Sequence, residues 1–399
     1  METREVKLGD VATVKGGKRL PKGTNLITTP NNHPYIRVRD LNGRRTLELD
    51  NSFEFVDDET QKTISRYVVD NGDIVLSIVG TIGLVAIIGK SLDKANLTEN
   101  CVKLASLSGI DRDFLYYFLK SSFGQQEITR GTVGAVQAKL PIKNIQDITI
   151  PLPDEFTQRK IAAILSSLDE KIETNQKIND NLEQQAQFYF QNLFVKNADP
   201  EWTKGTISDL GAVVGGSTPS KSKPEYYTSD GIAWITPKDL SINKAKFISH
   251  GENDITELGL KNSSASVMPE GTVLFSSRAP IGYIAIASGE VTTNQGFKSV
   301  VPKPEIGTAY VYYFLKHNLP VIEGMASGST FKEVSGNTMK NVPAVIPDTE
   351  TLARFNDFCA PIFAQQKILE KENHSLTALR DNLLPKLMSG EIDVSGIQL

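Results

Sequence analysis

One pattern occurs twice in this chain. Leu8-Gly9-Asp10-Val11 returns as Ile207-Ser208-Asp209-Leu210, Gly16-Gly17 as Gly215-Gly216, Asp40-Leu41 as Asp239-Leu240, Gly72 as Gly271 and Ile82-Gly83 as Ile281-Gly282. Later anchors drift by only a few positions: Tyr116-Tyr117-Phe118-Leu119-Lys120 matches Tyr312-Tyr313-Phe314-Leu315-Lys316, and Lys143-Asn144-Ile145 matches Lys340-Asn341-Val342. A period near 200 residues is far longer than the roughly 20–50 residues of a solenoid unit, so the pattern is a duplicated domain.

Each copy reads as mixed helix and strand. The runs Gly72-Asp73-Ile74-Val75-Leu76-Ser77 and Gly271-Thr272-Val273-Leu274-Phe275-Ser276 are turns followed by strands rich in β-branched or aromatic residues. The two Tyr-Tyr-Phe-Leu-Lys segments read as short amphipathic helices. Each copy closes on Ile-Pro, at Ile150-Pro151 and Ile346-Pro347.

Between the copies the composition changes. Residues 155–194 contain neither Gly nor Pro, and apolar residues recur at alternating spacings of four and three. The stripe Ile161, Leu165, Leu168, Ile172, Asn175, Asn179, Leu182, Ala186, Tyr189, Leu193 is a coiled-coil seam. After the second copy the same register returns as Phe355, Cys359, Ile362, Gln366, Leu369, Asn373, Leu376, Arg380, Leu383, Leu387, interrupted by Pro361 and Pro385. Asn175, Asn179 and Asn373 at seam positions are expected to fix register at some cost in stability. A bland alternative is that each stripe simply lies on the core of its own domain.

The expected architecture is α+β: two tandem homologous α/β domains separated by two long helices forming an antiparallel coiled coil. The segments are 1–152, a helical spacer 153–196, 197–348, and a distal helical region 349–399. Forty helical residues reach about 60 Å, enough to hold two domains apart.

Composition narrows the function. There is no apolar run long enough to span a membrane and no basic-then-apolar start, so a cytoplasmic location without membrane association is expected. Cys101 and Cys359 lack metal or disulfide spacing and read as core residues. His33, His250, His317 and His374 are scattered. There is no phosphate-binding GxxxxGK[ST] loop and no Pro-Pro dipeptide of the kind adenine methyltransferases carry after Asn or Asp. No catalytic or metal-ligating residues are assigned, and no cofactor.

The net charge of −4 excludes a uniformly basic nucleic-acid binder, so local distribution decides. Residues 15–45 hold eight basic groups, Lys15, Lys18, Arg19, Lys22, Arg37, Arg39, Arg44 and Arg45, against one acid, Asp40. These are the candidate DNA contacts of the first copy, with Gln137 and Lys139 from the loop at 131–139. The second copy offers a sparser set: Ser217, Thr218, Lys221, Lys223, Lys238, Lys244, Lys246, Arg278, Lys332 and Lys340. For any one of them a solvated charged face is an equal alternative.

Domain, long helix, domain, long helix, with duplicated domains, resembles the specificity subunits of type I restriction-modification enzymes. The resemblance is most specific where Ile150-Pro151-Leu152-Pro153 runs into residues 158–172, beginning Gln158-Arg159-Lys160-Ile161, and at the loop Gly215-Gly216-Ser217-Thr218-Pro219-Ser220. The distal copy departs from it, with Thr351-Leu352-Ala353-Arg354 in place of a Gln-basic junction. The resemblance implies a non-catalytic protein that binds double-stranded DNA at a bipartite, asymmetric site. It also implies two methylation subunits docked on the helices and restriction subunits in a larger complex, with S-adenosylmethionine and ATP handled by those partners. A duplicated protein- or carbohydrate-binding scaffold is the competing reading.

Overall fold

A computed structural model describes residues 2–41, 43–328 and 332–397. The chain divides into two compact units, one of residues 1–174 and 373–399, the other of residues 175–372. Each unit therefore combines one copy of the repeat with part of both long helices.

In the first unit, strand Arg4–Lys7 pairs antiparallel with Thr149–Leu152, so the copy is closed by its own ends. A five-stranded sheet runs in the order Thr13–Gly16, Cys101–Ala105, Ile74–Ser77, Val85–Ile88, Thr46–Leu47. Alternation sets its two faces, because successive strand side chains point opposite ways. Ile74, Leu76, Val85 and Ile87 pack toward the helices. Val75, Ala86 and Ile88 pack against Ile36, Leu41, Phe53 and Phe55, beside a three-stranded sheet of Glu54–Phe55, Pro34–Ile36 and Asn96–Leu97. Both faces are covered, so the middle strands are mostly apolar; Lys103 in Cys101–Ala105 is paired with Asp70 and Asp73 at 2.9 and 2.8 Å, and Ser77 is buried at its strand's end.

The second unit repeats this plan. Thr203–Thr206 pairs with Pro343–Ile346, and the five-stranded sheet runs Gly211–Gly215, Lys298–Pro302, Val273–Ser277, Ile281–Ala287, Phe247–Ile248. Val273, Phe275 and Ile286 face the helices; Leu274, Ala285 and Ala287 face the opposite core. Gly72 and Gly271, with φ of 88° and 84°, sit in the left-handed region that the turn before each central strand requires.

The Tyr-Tyr segments form the expected helices, and their apolar residues are buried on more than one side. Helix Arg112–Lys120, capped by Asp111 accepting from the Phe114 amide at 2.9 Å, buries all six residues from Phe114 to Leu119. Helix Thr308–His317 buries everything from Ala309 to Leu315. The sheet covers one side and the long helices the other, which encloses the middle of each helix and leaves Arg112 and His317 exposed at their ends.

The central helix runs Glu155–Gln191 and the distal one Thr349–Ser389. Asp154 and Asp348 begin them, accepting from the Thr157 and Thr351 amides at 3.1 and 2.8 Å. Pro361 and Pro385 do not interrupt the distal helix, contrary to the sequence reading. An interior proline costs about 3 kcal/mol, but burial of Phe355, Cys359, Ile362, Leu384 and Leu387 on either side of them holds the helix together.

Within each unit the two helices pair antiparallel. In the first, Asp169 takes Arg380 at 2.7 Å, and Ile161 and Leu165 share a core with Leu384 and Leu387. In the second, Asn175 donates to Glu372 at 2.8 Å, Gln366 donates to the Asn179 carbonyl at 3.2 Å, and the Tyr189 ring packs at a tilt against Phe355 and Phe358. Of the seam residues, Ile161, Leu165, Ile172 and Asn175 are buried; Leu168, Asn179, Leu182, Asn373, Leu376 and Leu383 are half-buried. The helices also lie on their own domains' cores, so the two readings of the stripe hold together.

The two junctions differ for a physical reason. Gln158 is buried, accepting from the Asp111 amide at 2.8 Å and donating to the Pro153 carbonyl at 2.9 Å. Its counterpart Leu352 fills the same place with apolar volume. Lys160, over the Phe156 ring, donates to the Val394 and Ser395 carbonyls at 3.0 and 2.7 Å, holding the end of the chain against the first unit.

Candidate nucleic-acid interface

The paired glycines place the first loop of each copy. A Cβ on Gly17 would stand 2.0 Å from the Thr98 carbonyl oxygen, and one on Gly216 2.0 Å from that of Asn294. Only glycine allows so close an approach. The loop is then stitched down in the same way twice. The Lys18 amide donates to the Leu97 carbonyl and the Ser217 amide to that of Thr293, both at 2.8 Å. An aromatic side chain holds the loop from beneath: Tyr35 donates to the Lys18 carbonyl at 2.7 Å, and Trp234 donates to that of Ser217 at 3.0 Å.

The stitching continues across the surface. The Ile78 amide donates to the Asn100 carbonyl at 2.8 Å and the Leu140 amide to the Ile78 carbonyl at 3.0 Å. In the second unit Ser277 donates to Gly296 at 2.7 Å and Val334 to Ser277 at 3.0 Å. Glycine loop, turn, strand end and hairpin thus form one strip in each unit. On the first strip lie Lys18, Arg19, Glu99, Gln137 and Lys139, with a fully exposed Val136 at the hairpin 133–139. On the second lie Ser217, Thr218, Gln295, Arg278, Glu333 and Lys332. The hairpin residues 329–331 fall outside the described residues.

Local ion pairs distinguish the candidates. Lys15, Lys22, Lys139, Lys221, Lys244, Lys332 and Lys340 are exposed and make no ion pair among the described residues. Lys18 lies 5.5 Å from the Tyr67 ring. Arg19, 81 % exposed, pairs with Glu99 at 2.6 Å. Arg39 pairs with Glu54 at 2.9 Å, Lys223 with Glu225 at 3.8 Å, Lys238 with Glu252 at 2.5 Å, and Arg278 with Glu333 at 3.4 Å. Arg37 is half-buried against Glu54, and Arg44 is exposed. Thr218 hydrogen-bonds Gln295, and the Ser217 hydroxyl accepts from the Ser264 amide at 3.3 Å.

Two candidates leave the surface altogether. Arg45, its side chain 10 % exposed, is held by Asp113, with Glu170 of the central helix at 3.9 Å. Lys246, 6 % exposed, is paired with Glu183 and donates to Gln366 at 2.7 Å and Tyr313 at 3.2 Å. Each sits immediately before the short parallel edge strand of its sheet, Thr46–Leu47 or Phe247–Ile248, and faces the helix pair of its own unit. They fasten domain to helix and are withdrawn from the DNA-contact set.

The Asp-Leu anchors also resolve. Asp40 accepts from the Arg37 amide and Asp239 from the Thr236 amide, both at 2.7 Å. Burial pushes the Asp40 carboxyl up to about 6, against the pull of Arg39 beside it. These aspartates hold turns. Among the described residues no cluster of His, Cys, Asp and Glu could hold a metal ion, and no helix is long and apolar enough to cross a membrane.

Sequence patterning alone does not single out Tyr35, Trp234, Ile78, Glu99 or Gln295. Tyr35 and Trp234 stand at the spacing shared by the main repeat anchors, which is the signal that points to them.

Residues 1–184 and 200–373 match the type I restriction modification DNA specificity domain. The MjaIX specificity subunit of Methanocaldococcus jannaschii is 42% identical over 180 residues, 43% of this chain and 41% of that relative. The HindI specificity subunit of Haemophilus influenzae is 25% identical over 329 residues, 64% of this chain and 71% of the relative. The S subunit of the type I restriction-modification system from M. genitalium superposes with a TM-score of 0.61 at 19% identity, covering 96% of this chain and 95% of that one, a likeness of fold.

Proposed function

The chain belongs to the type I restriction-modification DNA specificity family, and from that premise we propose that it reads a bipartite, asymmetric duplex site, one half per repeat. The observation that carries this is the pair of equivalent loop strips, built on the same backbone hydrogen bonds and bearing different side chains. Two such strips suit two unlike half-sites. The paired helices, each carrying residues of both units, supply the spacer and the surface on which two methylation subunits dock, with restriction subunits joining a larger complex. Phosphate contacts come from Lys15, Lys18, Lys22 and Lys139 in the first unit and from Lys221, Lys244, Lys332 and Lys340 in the second. Arg37, Arg39, Arg44, Lys223, Lys238 and Arg278 assist from positions already braced by neighbours.

The test is the host methylome with and without this chain. Loss of one two-part methylation motif is the expected result, and an unchanged methylome would end the proposal.

Salt dependence separates the surface cations from the buried ones. Each phosphate deprived of its lysine should flatten the slope of log affinity against log salt by about 0.9. Lys15→Glu with Lys22→Glu is expected to lower the slope by about two. Arg45→Met should leave the slope unchanged and instead lower the melting temperature, since it strips Asp113 of its buried partner.

A further inference from the structure

The two strips share a backbone, and at the same place on it each displays one hydrogen-bonded pair of side chains, of different chemistry in the two units. In the first unit the Arg19 Nε donates to Glu99 Oε1 at 2.6 Å. In the second, the corresponding Thr218 hydroxyl donates to Gln295 Oε1. Both pairs stand on the turn that accepts the glycine loop, through the Leu97 and Thr293 carbonyls. Both are displayed outward, with Arg19 and Gln295 exposed.

The bonding pattern matters more than the exposure. Glu99 engages Arg19 at Nε, which leaves both terminal guanidinium nitrogens available to donate together as a fork. Such a fork matches the N7 and O6 acceptors of guanine in the major groove. Thr218 occupies one lone pair of Gln295 Oε1, which leaves the second lone pair and both amide hydrogens. An amide so oriented matches the N6 donor and N7 acceptor of adenine.

We propose that Arg19 with Glu99, and Gln295 with Thr218, are the specificity-determining pairs at equivalent positions of the two half-sites, reading a guanine in the first and an adenine in the second. Arg19 and Gln295 touch the base. Glu99 and Thr218 are positioning residues that aim them. The proposal rests on the bipartite reading above.

The experiment selects duplexes bound by the full chain from a randomised duplex DNA library at fixed salt. The double variant Arg19→Thr with Glu99→Gln is expected to exchange guanine for adenine at one position of the first half-site, with a change in relative preference of about 5- to 150-fold, and to leave the second half-site intact. The mirror variant, Thr218→Arg with Gln295→Glu, should make the converse change in the second half-site alone. Glu99→Gln alone keeps the length of the side chain and should blur the guanine preference without losing the site, which guards against a misfolded double variant. If all three variants enrich the wild-type bases at both half-sites, the pairs do not read bases and the inference falls while the bipartite reading stands. If the wild-type chain enriches no two-part motif, the bipartite reading falls and takes the inference with it.

Discussion

Glu183→Ala is expected to destabilise the unit of residues 175–372 by about 3–5 kcal/mol, because it leaves two buried or half-buried ammonium groups without their carboxylate. Glu183 lies on the central helix and meets Lys246 from the sheet edge, Lys316 at 2.6 Å and the Tyr313 hydroxyl at 2.8 Å. Removing one partner of a buried pair costs more than the pair contributes, since the remaining charge has been taken out of water. Hydrogen exchange should show the weakening first in helix Thr308–His317 and in strand Phe247–Ile248, which this network ties down. Unchanged protection there would mean that the network does not fasten the domain.

The same network gives a pH dependence with a definite sign. Burial alone would raise the Glu183 carboxyl, but Lys246 and Lys316 outweigh it and bring the group to about 2 from an ordinary 4.5. A carboxylate depressed in the folded state binds fewer protons there than in the unfolded chain, so its stabilisation is fully present above about 4.5 and is lost as the pH falls toward 2. Glu183→Gln cannot titrate. Its deficit relative to the wild type should therefore shrink as the pH is lowered through that window.

These ties were invisible in the sequence, and the reason is specific. Arg45 and Lys15 look alike in a linear reading, yet one is enclosed by Asp113, 68 residues away, and the other is in water. A charge count along a stripe carries no information about distant carboxylates. The duplication, the strand-forming runs after Gly72 and Gly271 and the seam from Ile161 to Leu182 were legible because each is a local or periodic signal. At Pro361 the local preference of proline opposes a helix interior, and only the tertiary burial of Cys359 and Ile362 around it overrides that preference. The reading strips lay between these cases. Gly17 and Gly216 marked where the backbone comes close, but Glu99 and Gln295 join them only through the turn on which the loop rests.

A four-residue insertion after Thr174, matched by a four-residue insertion after Glu372, should move the preferred separation of the half-sites by about two base pairs. Four helical residues add about 6 Å, and base pairs stack about 3.4 Å apart. Matching is necessary because Asp169 pairs with Arg380 and Asn175 donates to Glu372, so a single insertion would slide one helix past the other. The half-sites themselves should keep their bases, since both loop strips are untouched, whereas affinity for the original separation should fall at least about tenfold, the equivalent of 1.4 kcal/mol. Duplexes carrying the wild-type half-sites at every separation from three below to four above the native one would measure the shift directly. A single insertion gives the contrast: it cannot keep both the Asp169 and the Asn175 contacts in register, and should weaken binding at all separations. If the matched variant still prefers the native separation, the helices do not set the distance between the two readers, and the half-sites must be spaced by some other part of the complex.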